Sequence, residues 1–164
     1  MMRVTAFVIL AASTAVAQAA PADFSQQILA AHNSERAAVG VPPLVWSDKL
    51  AADAAPWAKH LAETGTFEHS PASDRTDEGE NLWEGTQGGY TPAEMAGMWA
   101  GEKRYYQHGV FESGTSNGQM IGHYTQMIWK GTTQVGCALA SGGGKDVLVC
   151  RYSPPGNFIG QMPY

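Results

Sequence analysis

Cysteine is scarce in this sequence: 164 residues hold two, Cys137 and Cys150. Two thiols alone cannot build a structural zinc site, which takes four ligands. Membrane-spanning stretches are lacking as well. The uncharged run Val4 to Val16 has thirteen residues, short of the roughly 20 that cross a bilayer, and nothing later comes near that length. Positive charge is thin, with ten Lys and Arg against fifteen Asp and Glu and a net charge of −5. A basic, phosphate-binding surface is therefore excluded, and nucleic acid with it. No block of like charge or low-complexity tract occurs, and apolar residues make up 44% of the chain, which excludes disorder. Among catalytic signatures, a zinc-protease His-Glu-x-x-His is missing, and no segment is read as a Gly-x-Ser-x-Gly nucleophile elbow.

What is present begins with an export signal. Arg3 precedes the short apolar run, and Ala17-Gln18-Ala19 supplies the small residues that signal peptidase prefers, so residues 1–19 are read as a cleaved signal. The remaining chain, 20–164, is about 145 residues, the size of one domain. No transmembrane anchor is expected after cleavage. In an oxidising compartment the two cysteines are most simply a disulfide. Between them a glycine-rich turn flanked by short apolar runs reads as a β-hairpin, with strands near 132–140 and 145–152.

Helical periodicity predicts three helices. The first covers about 23–38, with Phe24, Ile28, Leu29 and Ala31 on one stripe. The second follows the cap candidate Ser47, carries Leu50, Ala54, Trp57, Ala58 and Leu61, and stops at Gly65. The third opens at Thr91-Pro92 and runs to about Gln107. Helices on either side of a small sheet, an α+β sandwich, follow as the economical architecture.

Two features resist a purely structural account. Glu102 lies on the stripe formed by Met95, Met98, Trp99, Tyr105 and Tyr106; it either has a buried partner or sits at the stripe's border and reaches water. The stretch from Gly65 to Tyr90 has little periodicity, is long for a connection, and contains Phe67-Glu68-His69-Ser70 and Gly79-Glu80-Asn81. A third polar residue, His123, stands inside the aromatic run Gly122-His123-Tyr124-Thr125-Gln126-Met127-Ile128-Trp129.

These segments resemble the hallmark motifs of the CAP superfamily, which includes cysteine-rich secretory proteins, antigen 5 and plant pathogenesis-related class-one proteins. Gly122 to Trp129 is similar to the first signature. Cys150-Arg151-Tyr152-Ser153-Pro154-Pro155-Gly156-Asn157 is similar to the second, with Arg151 where asparagine is usual. His32-Asn33 with Arg36 resembles the first-helix motif. The resemblance implies a three-layer α-β-α sandwich in which His69, Glu80, Glu102 and His123 share a cleft. It implies that His69 and His123 hold zinc or another divalent metal exchangeably, with no cofactor required. His32 is then a packing residue, and His60 and His108 are surface residues.

The resemblance favours a secreted, monomeric binding module, periplasmic if the source is Gram-negative. Its partner would be a sterol, a fatty acid or a host surface protein, in defence or host interaction. The apolar candidates for a lipid groove are Trp83, Tyr90, Met95, Met98, Trp99, Tyr105, Phe111, Met120 and Ile121, most of them equally good core residues. Two alternatives remain. One is a hydrolase using Glu80, Glu102 and His123, with Ser70 or Thr125 as nucleophile. The other is a precursor that releases 154–164, a tail resembling the signalling peptide of plant relatives, although a structural tail is the preferred reading.

Overall fold

The computed structural model describes residues 23–164; the signal assigned to 1–19 lies outside them. Asp23 caps the first helix, α1 (Phe24–Ala38), in a reciprocal box with Gln26. Its buried residues are Ile28, His32 and Arg36, each four apart. The face turned inward is thus two-thirds polar, and the predicted apolar stripe is only half-buried apart from Ile28. The second helix, α2 (Asp48–Thr64), is capped by the Ser47 hydroxyl and closed by Gly65 at φ 69°, as its sequence predicts.

The third helix, α3 (Pro92–Ala100), starts at the Thr91 cap with Glu94 completing a capping box. It ends earlier than Gln107: a 3-10 turn, Gly101–Arg104, takes over and carries Glu102. Gly97 and Gly101 weaken the helix there. The carboxylate of Glu102 meanwhile bonds to amides outside its own helix. A fourth, short helix, α4 (Gly122–Met127), carries His123.

The main sheet has strands β1 (Val45–Trp46), β2 (Gly79–Thr86), β5 (Gln134–Gly142) and β6 (Lys145–Ser153), in the order β1-β5-β6-β2. β1 runs parallel to β5, and the other pairs are antiparallel. A separate two-stranded hairpin joins β3 (Thr115–Ser116) to β4 (Gln119–Met120). The predicted hairpin is present, joined through Gly143 and Gly144, both at positive φ, the signature of a two-residue turn that matches strand twist. Cys137 and Cys150 face each other across it and form the disulfide.

β2 corrects the reading of 65–90 as an irregular stretch. Glu80, Asn81, Leu82 and Trp83 are all buried, so neither face shows the polar alternation by which a half-solvated strand is recognised. Its eight residues pair throughout with β6.

Two cores lie on opposite faces of the sheet. Ala54, Ala58, Leu61 and Ala62 of α2 pack with Leu82, Val147 and Val149. On the other face Ile28, Met95, Trp99, Tyr124 and Met127 pack with Val135, Leu148 and Tyr152. The result is helix, sheet and helices in three layers. α2 sits close because β5 offers Gly136, Ala138, Ala140 and Gly142 at alternate positions, which share a face. A methyl on Gly136 would collide with backbone atoms of Ser47 and Ala51, and one on Gly142 with the Ala62 carbonyl.

Candidate functional site: a cleft with two histidine–glutamate pairs

Glu102 has partners. One oxygen accepts the backbone N–H groups of His123 and Tyr124, each at 3.1 Å. These are first-turn amides of α4, a helix without a side-chain cap of its own, so Glu102 acts as the cap from outside. Its other oxygen lies 2.6 Å from His123 Nδ1. The side chain is 13% exposed, so the border reading of Glu102 gives way to the partnered one.

Glu80 forms the second pair. Its Oε1 accepts from His69 Nδ1 at 2.7 Å and from the Ser70 N–H at 3.0 Å, and its Oε2 from the Ser70 hydroxyl at 2.9 Å. Arg151 Nε is 3.0 Å from Oε2, but its N–H finds no hydrogen-bond acceptor. That contact is therefore a charge contact rather than an aimed bond. Burial pushes the Glu80 carboxyl up. The bonds from His69 and Ser70 and the Arg151 charge outweigh it and hold the group below the usual glutamate value.

His69, Glu80 and His123 line one cavity of about 180 Å3, together with Asn81 and Asn157. Glu102 stands behind His123 rather than in the lining. Each imidazole gives Nδ1 to a carboxylate, and neither Nε2 has a hydrogen bond among the described residues. A carboxylate that orients an imidazole through one nitrogen leaves the other as a ligand. The donor set therefore fits a divalent ion held by two imidazoles. Among the described residues no group of three His, Cys, Asp or Glu is arranged to hold a metal, so two imidazoles are all that the cleft would offer such an ion.

The other candidates fall into place individually. His32 is buried, with Nδ1 2.8 Å from the Ile28 carbonyl and Nε2 2.8 Å from the Tyr152 hydroxyl. His60 and His108 are exposed and stack on Trp57 and Tyr164. Ser70 is spoken for by Glu80 and Arg151. Thr125 is fully buried and donates to Asn157 Oδ1 at 2.8 Å. Of the apolar groove candidates, Trp83, Met95, Trp99, Phe111 and Ile121 are buried, whereas Tyr90, Met98, Tyr105 and Met120 are exposed. Only Met120 among them lines the cleft.

A Gly-x-Ser-x-Gly string does occur, Gly114-Thr115-Ser116-Asn117-Gly118, correcting the reading that none is present. It lies on the β3–β4 hairpin, whose turn is Asn117-Gly118, and not on the strand-to-helix elbow that nucleophile chemistry requires.

Three participants had gone unassigned. Asn81 donates to the His123 carbonyl and the Tyr152 hydroxyl, both at 3.1 Å. Asn157 donates to the Gly122 carbonyl at 2.8 Å. Arg151 binds Ser70 Oγ, Glu78 and the Asp74 carbonyl. The departure from the usual asparagine at 151 was the one available signal for the last of these.

Comparison with known proteins bears on the family and the fold. The model of the cysteine-rich secretory protein family, CAP, matches residues 29–152. Pathogenesis-related protein 1A of Nicotiana tabacum is 44% identical over 141 residues, covering 85% of this chain and 80% of that protein. Pathogenesis-related protein PRMS of Zea mays is 34% identical over 161 residues, covering 96% and 93%. Among solved structures, BmVAL-1 superposes with a TM-score of 0.73 at 26% identity over 86% of this chain and 81% of its own. NaASP2 with Zn2+ gives a TM-score of 0.73 at 24% identity over 87% and 86%. From motifs, layers and relatives together, the chain belongs to the CAP family of cysteine-rich secretory proteins.

Proposed function

We propose that this chain is an exported, non-catalytic binding module in defence or host interaction, a single domain after loss of residues 1–19. Its central cleft takes an exchangeable divalent cation, zinc first, through Nε2 of His69 and His123. The observation that carries the reading is the paired Nδ1–carboxylate contact of both rings at one cavity. Glu80 and Glu102 orient the ligands and balance the cation's charge, and the metal itself would supply a Lewis-acidic anchor for an oxygen of the partner. That a structural neighbour is NaASP2 with Zn2+ supports the choice of ion. No helix among the described residues is long and apolar enough to cross a membrane, which is compatible with export.

The competing readings have less support. A hydrolase acting through a side-chain nucleophile would need that group free, and Ser70 and Thr125 are both buried in hydrogen bonds to groups other than an imidazole. A sterol or fatty acid exceeds a cleft of about 180 Å3, since small-ligand pockets run to roughly 300–1,000 Å3. Release of 154–164 would require freeing a tail that is hydrogen-bonded at Phe111 and Lys130.

Calorimetric titration of zinc into metal-stripped protein tests the proposal. Wild type shows saturable heats, His69→Ala and His123→Ala abolish them, and Glu102→Gln weakens affinity by about 10–100-fold. Identical heats for wild type and both histidine variants would remove the metal from the account.

A further inference from the structure

A second concavity, of about 360 Å3, lies where α2 meets the segment that follows it. It shares no lining residue with the histidine cleft. One wall is aromatic: Trp57 and His60 stack in parallel, ring centres 4.7 Å apart and planes 21° apart. The Trp57 plane is fixed, because its indole N–H donates to the Glu68 carbonyl at 3.0 Å and the ring packs on the α2 core. Pro56 extends this shelf. The rest of the lining is polar: Asp53, Asp74, Ser70 and Arg151.

Most of the charges around the concavity are matched, but the Asp74 carboxylate accepts only the Ser73 hydroxyl, at 2.9 Å, and has no cation beside it among the described residues. Asp53 is 2.5 Å from Lys49, and Glu78 is 3.2 Å from Arg151 and 3.6 Å from Lys49. Arg151 is saturated further by Ser70 and the Asp74 carbonyl. An anion would be repelled by the Asp74 and Asp53 carboxylates, and a cation would gain little from Asp74, because that carboxylate is exposed and exposed ion pairs are weak. An uncharged ligand with one flat apolar face and an edge of hydroxyl donors matches every wall. Its C–H face lies on the outer face of the Trp57–His60 stack, on the side of the exposed His60, and its hydroxyls donate to the Asp74 and Asp53 carboxylates, whose oxygens accept only. The volume lies within the range of small-ligand pockets, about 300–1,000 Å3.

The geometry points to a saccharide-binding site for neutral sugars, with Trp57, His60 and Asp74 as its recognition residues. The site is independent of any metal in the cleft, so it stands or falls separately from the binding reading above.

The test is titration of the full mature chain with chitotriose, cellotriose and mannotriose, followed by the Trp57 indole N–H resonance in 1H–15N spectra. At least one trisaccharide shifts that resonance saturably. His60→Ala and Asp74→Ala, both at exposed positions, each weaken binding by about tenfold, and the distant Met98→Ala leaves it unchanged. Trp57→Phe, which keeps an aromatic ring for packing, weakens it less than His60→Ala combined with Asp74→Ala. The assignment is overturned if no trisaccharide gives a saturable shift, or if affinity is unchanged in either single variant. It is equally overturned if phenethylammonium binds more tightly than every sugar, since the site would then select a cation.

Discussion

The inward face of α1 is built from polar side chains that each complete another element's bonding. Arg36, 1% exposed, donates to the carbonyls of Pro42, Met127, Trp129 and Thr132, serving the carboxyl end of α4. Asn33 imitates a strand neighbour, exchanging two bonds with the Leu44 backbone. His32 must donate from Nδ1 to the Ile28 carbonyl, so its Nε2 accepts from Tyr152, whose hydroxyl in turn accepts from Asn81. Burial lowers the His32 imidazole to about 4 from 6.5, and the neighbouring Arg36 charge adds to this against the Ile28 carbonyl. The unfolded chain therefore takes up this proton near pH 6.5, and the folded one only near 4. Stability is complete above that window and falls on acidification through it, by roughly 3 kcal/mol from this residue. Urea midpoints measured from pH 7 to pH 4 should show a steep loss in wild type and a shallower one in His32→Gln.

At the scale of elements, legibility followed solvent contact. α2 and the β5–β6 hairpin each have a recognisable start, stop or turn, and Ser47, Gly65 and the Gly143-Gly144 pair mark them in the sequence. β2 escaped because burial on both faces leaves no period. Glu80 and Asn81 looked like loop polars, although they are strand residues serving a cleft. The cleft's composition was readable only through the likeness of its motifs to a family; spacing alone gave Glu102 a choice between partner and water. Nor could periodicity foresee how near α2 lies to β5. That closeness depends on glycine, and Gly136→Ala should cost about 1–3 kcal/mol of overpacking, visible as a lowered urea midpoint. Ala138→Gly, which removes bulk from the same face, should leave the helix in place.

For the molecule as a whole, the segment after β6 works as a clasp. Phe111 N–H donates to the Gln161 carbonyl at 2.8 Å, Gly160 N–H to the Phe111 carbonyl at 2.9 Å, and Lys130 N–H to the Pro163 carbonyl at 2.7 Å. Phe158 meets Trp129 edge-on, and Tyr164 lies against Tyr106 and His108. Deleting residues 158–164 should lower stability by roughly 2–3 kcal/mol, the worth of three backbone bonds. The native protein should resist cutting after Ser153 under conditions that cleave the urea-unfolded chain; efficient native cleavage there would favour the signalling-peptide reading.

The strand pairing also sets an order of events during synthesis. β2, with Glu80, pairs only with β6, whose first residue lies some sixty positions downstream, and His32 waits for Tyr152, 120 residues away. A ribosome-bound chain lacking β6 cannot close its sheet or complete the bond from Tyr152 to His32, because contacts so distant in sequence form late. Until that strand emerges the polypeptide stays open, the form in which it can still be threaded through a narrow channel.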